Sequence, residues 1–579
     1  MVRVTRRRRA AGAGIGLVAA LVALAGCVSI PTSGPIATGS PAPVNQDPPV
    51  PLAALPQRDD TPEGIVSGFF SAARAGVFDD FDVAREFLTR TAEAGWDPWE
   101  RLLVAASEPE LSLDGDTVVA VVELAGSVDR AGVYEEAPPG SEVTLSFGMW
   151  RDAANQWRIA DLPSGIVIRD SAFNASFTPV PVYFASADWQ VAVPELRWLP
   201  KQTLLRDTVQ ALFAGPSPWL ADGVATAAPT LGSPVEVDDQ SGDGRVTLAL
   251  PAEAYQESWA EGRRGHLYAQ LEATLLSGRL RGVVSSIALT VAGPSGAQPF
   301  DLQPDDEVPS LVIDPQPRSG PFAVVDGVVA EVGGDAAEPV ADLPPLTSLA
   351  APNHPAAGAD GTVWVVLDGT TRLMLLPVGA AEPEQIGTGR DLLPPSVDRF
   401  GWVWTGERDS DGTLVAIGPD GAEVSVAAPL LMDRQVSSMR VSRDGTRIAV
   451  ASADADGRTT IHVASIVRAG DESAEPRALG DGALIVGASL TSVTELAWST
   501  EQTLAVLGVS ARSEQQALHQ VTVGGPTTLL QVVAEGTVGL AAARGTEGYV
   551  VDSEGVLRLL RGSSWVEVAT GVTDPVFPG

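Results

Sequence analysis

The sequence predicts three folded units in order along the chain: an α+β domain, an α/β domain and an all-β propeller of five to seven blades. The chain has 579 residues, which is longer than one hydrophobic core supports, because single cores stop growing at about 250–300 residues. Apolar residues recur at helical spacing in several segments before residue 310. After residue 321 that spacing disappears, and strand–turn–strand repeats replace it.

The first predicted domain, 59–170, begins with two helices. Thr61 is a suitable N-cap, Pro62 suits the first helical position, and Asp82 can cap a second helix. After the first cap, the apolar residues at helical spacing are Ile65, Val66, Phe69, Phe70 and Ala73. The predicted strands are Thr117–Leu124, Glu142–Met149 and Trp157–Ala160. Two helices followed by a curved antiparallel sheet resemble the nuclear transport factor 2-like (NTF2-like) fold.

The second predicted domain, 171–310, alternates strands with two amphipathic helices. The first helix, Thr203–Phe213, has apolar residues on one face and stops at Gly215. The second helix, Gly265–Leu276, stops at Gly278. The predicted strands are Val180–Phe184, Val246–Leu250 and Ile287–Val291. This alternation indicates an α/β domain.

The third predicted domain, 321–579, consists of a loose repeat in which an apolar strand, a turn and a second apolar strand follow one another. Val441–Val450, with Asp444-Gly445 in its turn, is one example. Repeats start near residues 346, 396, 436, 492 and 537, a spacing of 40–56 residues, and propeller blades recur at about 40–50 residues. We expect five to seven blades, with six favoured. The half-repeat 321–332 can complete the ring by pairing with the last strands. A β-sandwich or a β-solenoid is the alternative fold.

Residues 1–26 have the features of an export signal. Arginines at the start precede the apolar stretch Ala10–Ala25, which is the order found in secretory signals. The stretch ends in Leu24-Ala25-Gly26-Cys27, which resembles the bacterial lipobox, and Cys27 is the only cysteine. We expect cleavage between Gly26 and Cys27, with N-palmitoyl and S-diacylglycerol groups on the new terminal cysteine. A simple cleaved signal or an uncleaved anchor helix are the alternatives, and the arginines leave Sec or twin-arginine export open.

Residues 27–58 follow the signal and contain eight prolines, as expected for a semi-extended membrane tether. The formal net charge of the chain is −35. Nucleic acid is therefore excluded as a partner, because phosphate binding needs clustered cations.

The sequence contains no catalytic, cofactor or metal motif. Its histidines are scattered over two domains, and we expect them not to meet at a site: His266, His354, His462 and His519. Acidic turns such as Asp409-x-Asp411-Gly412 and Asp454-x-Asp456-Gly457 supply too few oxygens for calcium, so we interpret them as hairpin turns. Most propeller tryptophans should pack between blades, with an exposed minority left to contact a partner: Trp364, Trp402, Trp404, Trp498 and Trp565.

Three segments together resemble one family. They are the mature start Cys27–Pro35, the segment Val209–Pro216, which is similar to GerMN domains, and the repeat array at the C-terminal end. The resemblance is to the actinobacterial LpqB lipoproteins. It implies an accessory of the MtrAB two-component system that binds the extracellular domain of the sensor kinase MtrB and influences signalling linked to cell-wall homeostasis and division. It implies no catalytic residue and no cofactor, so Cys27 is the one functional residue that the resemblance assigns to this chain.

The sequence therefore favours a non-enzymatic binding protein at the cell membrane, lipid-anchored on the extracytoplasmic face. A lipoprotein that binds a cell-wall polymer or peptide without contacting the kinase is the alternative. A propeller hydrolase is a third hypothesis, which convergent His, Asp and Glu residues at the channel mouth would support.

Overall fold

The structure is a computed structural model that describes residues 53–579 except 78–79, 240–241, 255–262, 294–295, 301, 303–306, 334–336 and 471–472. Segment Pro51–Gly579 is one compact unit. Cys27 and the predicted signal and tether lie outside the described residues, apart from the last few residues of the tether. In the described part of the chain, no helix is long and apolar enough to cross a membrane.

The first unit packs short helices against a mainly antiparallel sheet in the order β6-β5-β3-β1-β7, with β2 and β4 also pairing with β3. Its first helix begins as predicted, because the Thr61 side chain accepts a hydrogen bond from the Gly64 amide and Pro62 follows it. The helices are α1 Pro62–Gly76, α2 Asp82–Arg85 and α3 Arg90–Gly95. The strands are β1 Arg101–Ala105, β2 Glu110–Asp114, β3 Thr117–Asp129, β4 Tyr134–Glu136, β5 Glu142–Arg151, β6 Trp157–Asp161 and β7 Ile166–Arg169.

The middle unit joins a two-stranded hairpin, β8-β9, to a four-stranded sheet in the order β10-β11-β12-β13. Strands β11 and β12 run parallel, and the helix α7 connects them. The helices are α4 Asp170–Ser176, α5 Leu204–Ala214, α6 Pro218–Ala221 and α7 Arg263–Leu275. The strands are β8 Phe177–Ala185, β9 Ala192–Pro200, β10 Glu236–Asp238, β11 Arg245–Leu250, β12 Ser286–Gly293 and β13 Gly296–Pro299. The helices predicted at 203–213 and 265–276 correspond to α5 and α7.

The remaining strands all belong to the propeller. Those of its first half are β14 Phe322–Val325, β15 Val328–Glu331, β16 Glu338–Pro339, β17 Pro352–Ala357, β18 Trp364–Asp368, β19 Arg372–Leu375, β20 Glu384–Thr388, β21 Ser396–Val397, β22 Val403–Thr405, β23 Asp409–Ser410, β24 Thr413–Ile417 and β25 Glu423–Ala427. Those of its second half are β26 Arg434–Val441, β27 Arg447–Ala453, β28 Thr459–Arg468, β29 Pro476–Val486, β30 Leu490–Trp498, β31 Thr503–Ser510, β32 Gln516–Thr522, β33 Thr527–Val532, β34 Thr537–Arg544, β35 Glu547–Asp552, β36 Leu557–Arg561, β37 Ser564–Ala569 and β38 Val572–Val576.

Within the described residues, these strands form six four-stranded blades, so the predicted propeller is confirmed. The blades are β38-β14-β15-β16, β17–β20, β21-β22-β24-β25, β26–β29, β30–β33 and β34–β37. The third and fourth blades are joined into one sheet by a parallel bridge between Ala427 and Ala478, and the short strand β23 pairs with β26 at the edge of the fourth blade. Strand β38 pairs with β14, so the last strand closes the ring with the half-repeat 321–332, as predicted.

The middle unit lies against one face of the propeller, which we call the covered face. Within a blade, the turns from the innermost to the second strand and from the third to the outermost strand open on this face. Arg447 begins the second strand of its blade directly after a turn of the first kind, and it donates to the carbonyl oxygen of Pro194 over 3.4 Å. Gly524, in the second kind, accepts a 2.8 Å hydrogen bond from the indole nitrogen of Trp198. One cluster of buried side chains continues from Leu212 in α5 to Leu484 in β29, so the two units share a hydrophobic core.

Candidate binding surfaces of the propeller

The innermost strands of the six blades surround a central channel that contains paired charges. The ring order is β17, β21, β26, β30, β34 and β38. His354 Nδ1 lies 3.2 Å from Asp574 Oδ1, and Arg440 Nη2 lies 2.9 Å from Glu495 Oε1. The other carboxylate oxygen of Glu495 accepts a 2.8 Å hydrogen bond from the Leu540 amide. The channel therefore contains two pairs of titratable or charged side chains, which come from four different strands.

Burial changes the acid–base behaviour of this cluster. Desolvation raises the pKa of Glu495 to about 7, although the Arg440 charge opposes the shift. Desolvation lowers the pKa of His354, and the neighbouring Asp574 carboxylate opposes that shift. A neutral imidazole at His354 and a carboxyl at Glu495 that titrates near neutrality are the expected states.

The C-terminal residues lie at the covered-face end of the channel. Phe577 and Gly579 line a small pocket there together with Val441 and Trp498, and the Gly579 amide donates to the Ala357 carbonyl over 2.9 Å. The connections that enter each innermost strand from the preceding blade open on the other side. We call that side the free face, and it includes 389–395, 428–433 and 533–536.

The free face carries ion pairs and exposed apolar side chains around the channel. Arg390 pairs with Glu407 at 3.2 Å, and Arg408 Nε lies 3.5 Å from Asp391 Oδ1. Met432 is 54% exposed and Val538 is 53% exposed. The free face therefore presents both apolar and charged side chains to solvent, a mixture that is also found in protein-binding surfaces.

The histidines do not meet, as the sequence indicated. His354 lies in the channel, whereas His462 is on β28 and His519 on β32, both outside the innermost ring. The ring of His266 packs against Trp189 in the middle unit, with centroids 4.1 Å apart. Sequence reasoning missed the pairing of His354 with Asp574, which are 220 residues apart, because no local pattern links them.

The propeller tryptophans largely pack inside, as predicted. Trp404 is fully buried, and its indole nitrogen donates to Asp398 Oδ2 over 2.8 Å. Trp402 lies in the same cluster of buried side chains. Trp364 and Trp498 are also buried, and Trp565 is partly buried.

The acidic turns bind backbone amides of their own hairpins. Asp411 Oδ1 accepts from the Thr413 amide over 3.2 Å, and Asp454 Oδ1 accepts from Asp456 and Arg458 over 3.0 and 2.9 Å. The hairpin-turn interpretation is therefore supported. Among the described residues, no group of three or more His, Asp or Glu side chains is placed to hold a metal ion.

A six-bladed propeller that carries an α+β unit and an α/β unit defines a multidomain β-propeller protein. The family model for the LpqB beta-propeller domain matches residues 327–578, and the model for the LpqB N-terminal domain matches residues 55–174. The chain belongs to the LpqB lipoprotein family, as its resemblance predicted. The names of these models and relatives denote a lipoprotein and not an enzyme.

Curated relatives match over almost the whole chain. Lipoprotein LpqB of Cutibacterium acnes is 26% identical and covers 96% of this chain and 97% of its own. Lipoprotein LpqB of Streptomyces avermitilis is 27% identical and covers 99% of both chains. Among solved structures, TolB from Acinetobacter baumannii is 14% identical, with a TM-score of 0.30, covering 51% of this chain and 83% of its own. A gluconolactonase from Xanthomonas campestris is 13% identical, with a TM-score of 0.31, and the match covers 45% of this chain and 87% of the gluconolactonase.

Proposed function

We propose that this protein is a non-enzymatic lipoprotein, anchored to the extracytoplasmic face of the cell membrane by lipid on Cys27, that binds the extracellular domain of an MtrB-like sensor histidine kinase. Binding would modulate two-component signalling linked to cell-wall homeostasis and division. The mechanism is a population shift, in which preferential binding to one kinase conformation favours that conformation.

One structural observation carries the proposal of partner binding. The middle unit occupies the covered face of the propeller through buried contacts, which leaves the free face as the accessible large surface of the ring. That face carries the exposed side chains of Met432 and Val538 as well as the pairs Arg390–Glu407 and Arg408–Asp391. Apolar anchors within a charged surround are typical of transient protein interfaces.

The non-enzymatic part of the proposal is supported by the arrangement of the channel. The criterion for a hydrolase was His, Asp and Glu side chains converging at the channel mouth. In the channel, His354 instead lies next to Asp574, and Glu495 lies next to Arg440. Each of these side chains is therefore engaged by a partner on another strand, as expected of a structural contact between blades.

The finer assignments of the first two units belong to the same proposal. Helices α1–α3 before a mainly antiparallel sheet support an NTF2-like domain at 59–170. Helices α5 and α7 against the sheet β10–β13 support a GerMN domain at 171–310. The proposed tether, 27–58, would hold these units away from the membrane surface.

The direct test is binding of residues 53–579 to the purified kinase ectodomain by calorimetry or interferometry. Met432→Glu and Val538→Glu should weaken binding at least tenfold, since an interface anchor contributes about 2 kcal/mol or more. Val566→Glu is the matched control, because Val566 is 40% exposed on the outermost strand β37. Absence of saturable binding at about millimolar concentration, where contacts worth about 4 kcal/mol are still detected, would refute kinase binding.

Binding of a cell-wall polymer or peptide is the second candidate function. Trp150 on β5 is 64% exposed, and an exposed aromatic ring can stack on a sugar or peptide. Co-sedimentation with purified cell walls, lost in Trp150→Ala and retained in Met432→Glu, would support this candidate over the first.

A further inference from the structure

A cleft of about 660 Å³ lies between the first unit and the middle unit, apart from the propeller surfaces described above. One wall is formed by the end of α1, by β1 and by the turn after β3. The other wall is formed by the end of β9 and by one face of α5. Small-molecule sites usually have volumes of about 300–1,000 Å³ and often lie between domains. The size and position of this cleft are those of a ligand site.

The base of the cleft is apolar. Leu102, Val128 and Leu199 are buried side chains that contribute to its lining. Trp99 also lines the cleft and is 38% exposed. Its ring makes an edge-to-face contact with Phe81 at 5.4 Å, which fixes its orientation. An apolar body can therefore lie on the base with one side against the Trp99 ring.

Two exposed arginines, one from each unit, also line the cleft. The side chain of Arg130 is 64% exposed and pairs with Asp97. The side chain of Arg206 is 62% exposed, and its Nε lies 3.0 Å from Asp207 Oδ1. A guanidinium has five N–H donors, so both arginines retain donors for an anion.

A third arginine is buried in the wall. Arg197 is 2% exposed, and its Nη1 donates to the Ala131 carbonyl over 2.7 Å. Its Nε is buried and has no hydrogen-bond partner among the described residues. The lining contains as many arginines as aspartates, in a chain whose net charge is −35. The lining is thus formally neutral. Because Glu195 Oε2 lies 2.5 Å from Arg197 Nη2 and compensates that charge, an anionic ligand would depend on the exposed guanidiniums of Arg130 and Arg206.

We propose that this cleft binds a small anionic amphiphile, a molecule with an apolar body and one carboxylate or phosphate group. The body lies on Leu102, Val128, Leu199 and the Trp99 ring. The anionic group lies between Arg130 and Arg206, where it receives charge-assisted hydrogen bonds. The proposal is independent of kinase binding, so either can fail without the other.

The test uses residues 53–579 and the fluorescent anion 8-anilinonaphthalene-1-sulfonate, displaced by dodecanoate, dodecyl phosphate or neutral dodecanol. We expect saturable fluorescence and displacement by the anionic competitors at concentrations at least tenfold lower than dodecanol requires. Arg130→Gln and Arg206→Gln should each lower the affinity for dodecanoate about tenfold, since a hydrogen bond to a charged group is lost. Arg279→Gln, an exposed arginine outside the cleft lining, is the matched control and should not change binding.

A second variant tests the location of the site. Ala214 is exposed and lines the cleft, so Ala214→Trp should fill part of it without disturbing the core, and it should abolish displaceable fluorescence. Equal binding of the probe by wild type and Ala214→Trp would overturn the proposal, as would equal displacement by dodecanol and dodecanoate. The relative potency of dodecanoate and dodecyl phosphate identifies the preferred anionic group.

Discussion

At the scale of single residues, buried charges join segments that are far apart in the sequence. Arg447 is 1% exposed and pairs with Asp444 within its own turn. The same guanidinium donates to the Glu501 carbonyl in the next blade over 2.8 Å and to Pro194 in the middle unit. Because removal of one partner of a buried pair leaves an uncompensated charge, this contact depends on the presence of both Arg447 and Asp444.

Glu495 gives the propeller a predictable pH dependence. Its pKa in the folded protein, about 7, lies above its ordinary value of 4.5, so folding favours the protonated carboxyl. The stability from this group is fully present below pH 4.5 and is lost as pH rises through 7. The free energy of unfolding should therefore fall by roughly 3 kcal/mol across this range. In Glu495→Gln this contribution should disappear.

Urea unfolding of both proteins at about pH 5 and about pH 8 measures this difference. His354→Gln is a useful control, because it alters the adjacent pair in the channel and leaves the Glu495 carboxyl in place. An identical pH dependence in wild type and Glu495→Gln would contradict the assignment.

Cys27 determines the predicted membrane attachment. Replacement of its sulfur by oxygen in Cys27→Ser removes the atom that accepts the diacylglycerol group, so we expect the protein to move from the membrane to the soluble fraction. Fractionation and immunoblotting of cells that express each form measure this. Retention of a correctly cleaved mutant in the membrane would contradict a lipid anchor, and the mass of the mutant shows whether the signal was cleaved.

At the scale of elements, the helices and strands that pack by local amphipathicity agree with their sequence patterns. The short elements at interfaces have no sequence pattern that predicts them. Helix α6 has four residues and packs against β28 and β29 of the propeller. Its Trp219 is 6% exposed. The close approach depends on small residues on the strand, because a Cβ added at Gly482 would lie 3.0 Å from the Trp219 Cα.

Gly482→Ala should therefore destabilise the contact between the middle unit and the propeller. Backbone atoms cannot move aside as a flexible side chain does, so we expect a loss of about 1–3 kcal/mol. The melting temperatures of Gly482→Ala and Gly470→Ala, compared with wild type, measure this loss. Gly470→Ala is the control, because an added Cβ at Gly470 meets nothing within 4 Å. Equal melting temperatures for the two variants would show that the helix tolerates displacement.

At the scale of the whole molecule, the units are interdependent. The buried cluster that contains Leu212 and Leu484 crosses from the middle unit into the propeller. Trp198 connects all three units, because its ring packs against Phe173 at 4.8 Å, its amide donates to Gly132 of the first unit and its indole donates to Gly524. A ligand in the cleft, which Trp198 also lines, would contact a residue bonded to the propeller.

The isolated propeller, residues 321–579, should therefore be less soluble than residues 53–579. Its separation exposes Leu484 and its buried neighbours to water, and large exposed apolar patches promote association. Size-exclusion chromatography with light scattering measures the oligomeric state of both proteins at equal concentration. A monomeric isolated propeller with an unchanged melting temperature would show that the shared core is dispensable.

The sequence by itself determined the order of the units, the propeller repeat and the closing half-repeat, because each depends on local periodicity, whereas the lipidation of Cys27, which rests on a contiguous motif, stays a prediction. Helix α5 was predicted to within one residue at either end for the same reason. Only the tertiary structure decided that His354 meets Asp574, that Glu495 is buried beside Arg440, and that Arg130 and Arg206 line one cleft. These pairs come from different strands or units, and their proximity depends on ring closure and domain packing, which leave no pattern in the local sequence.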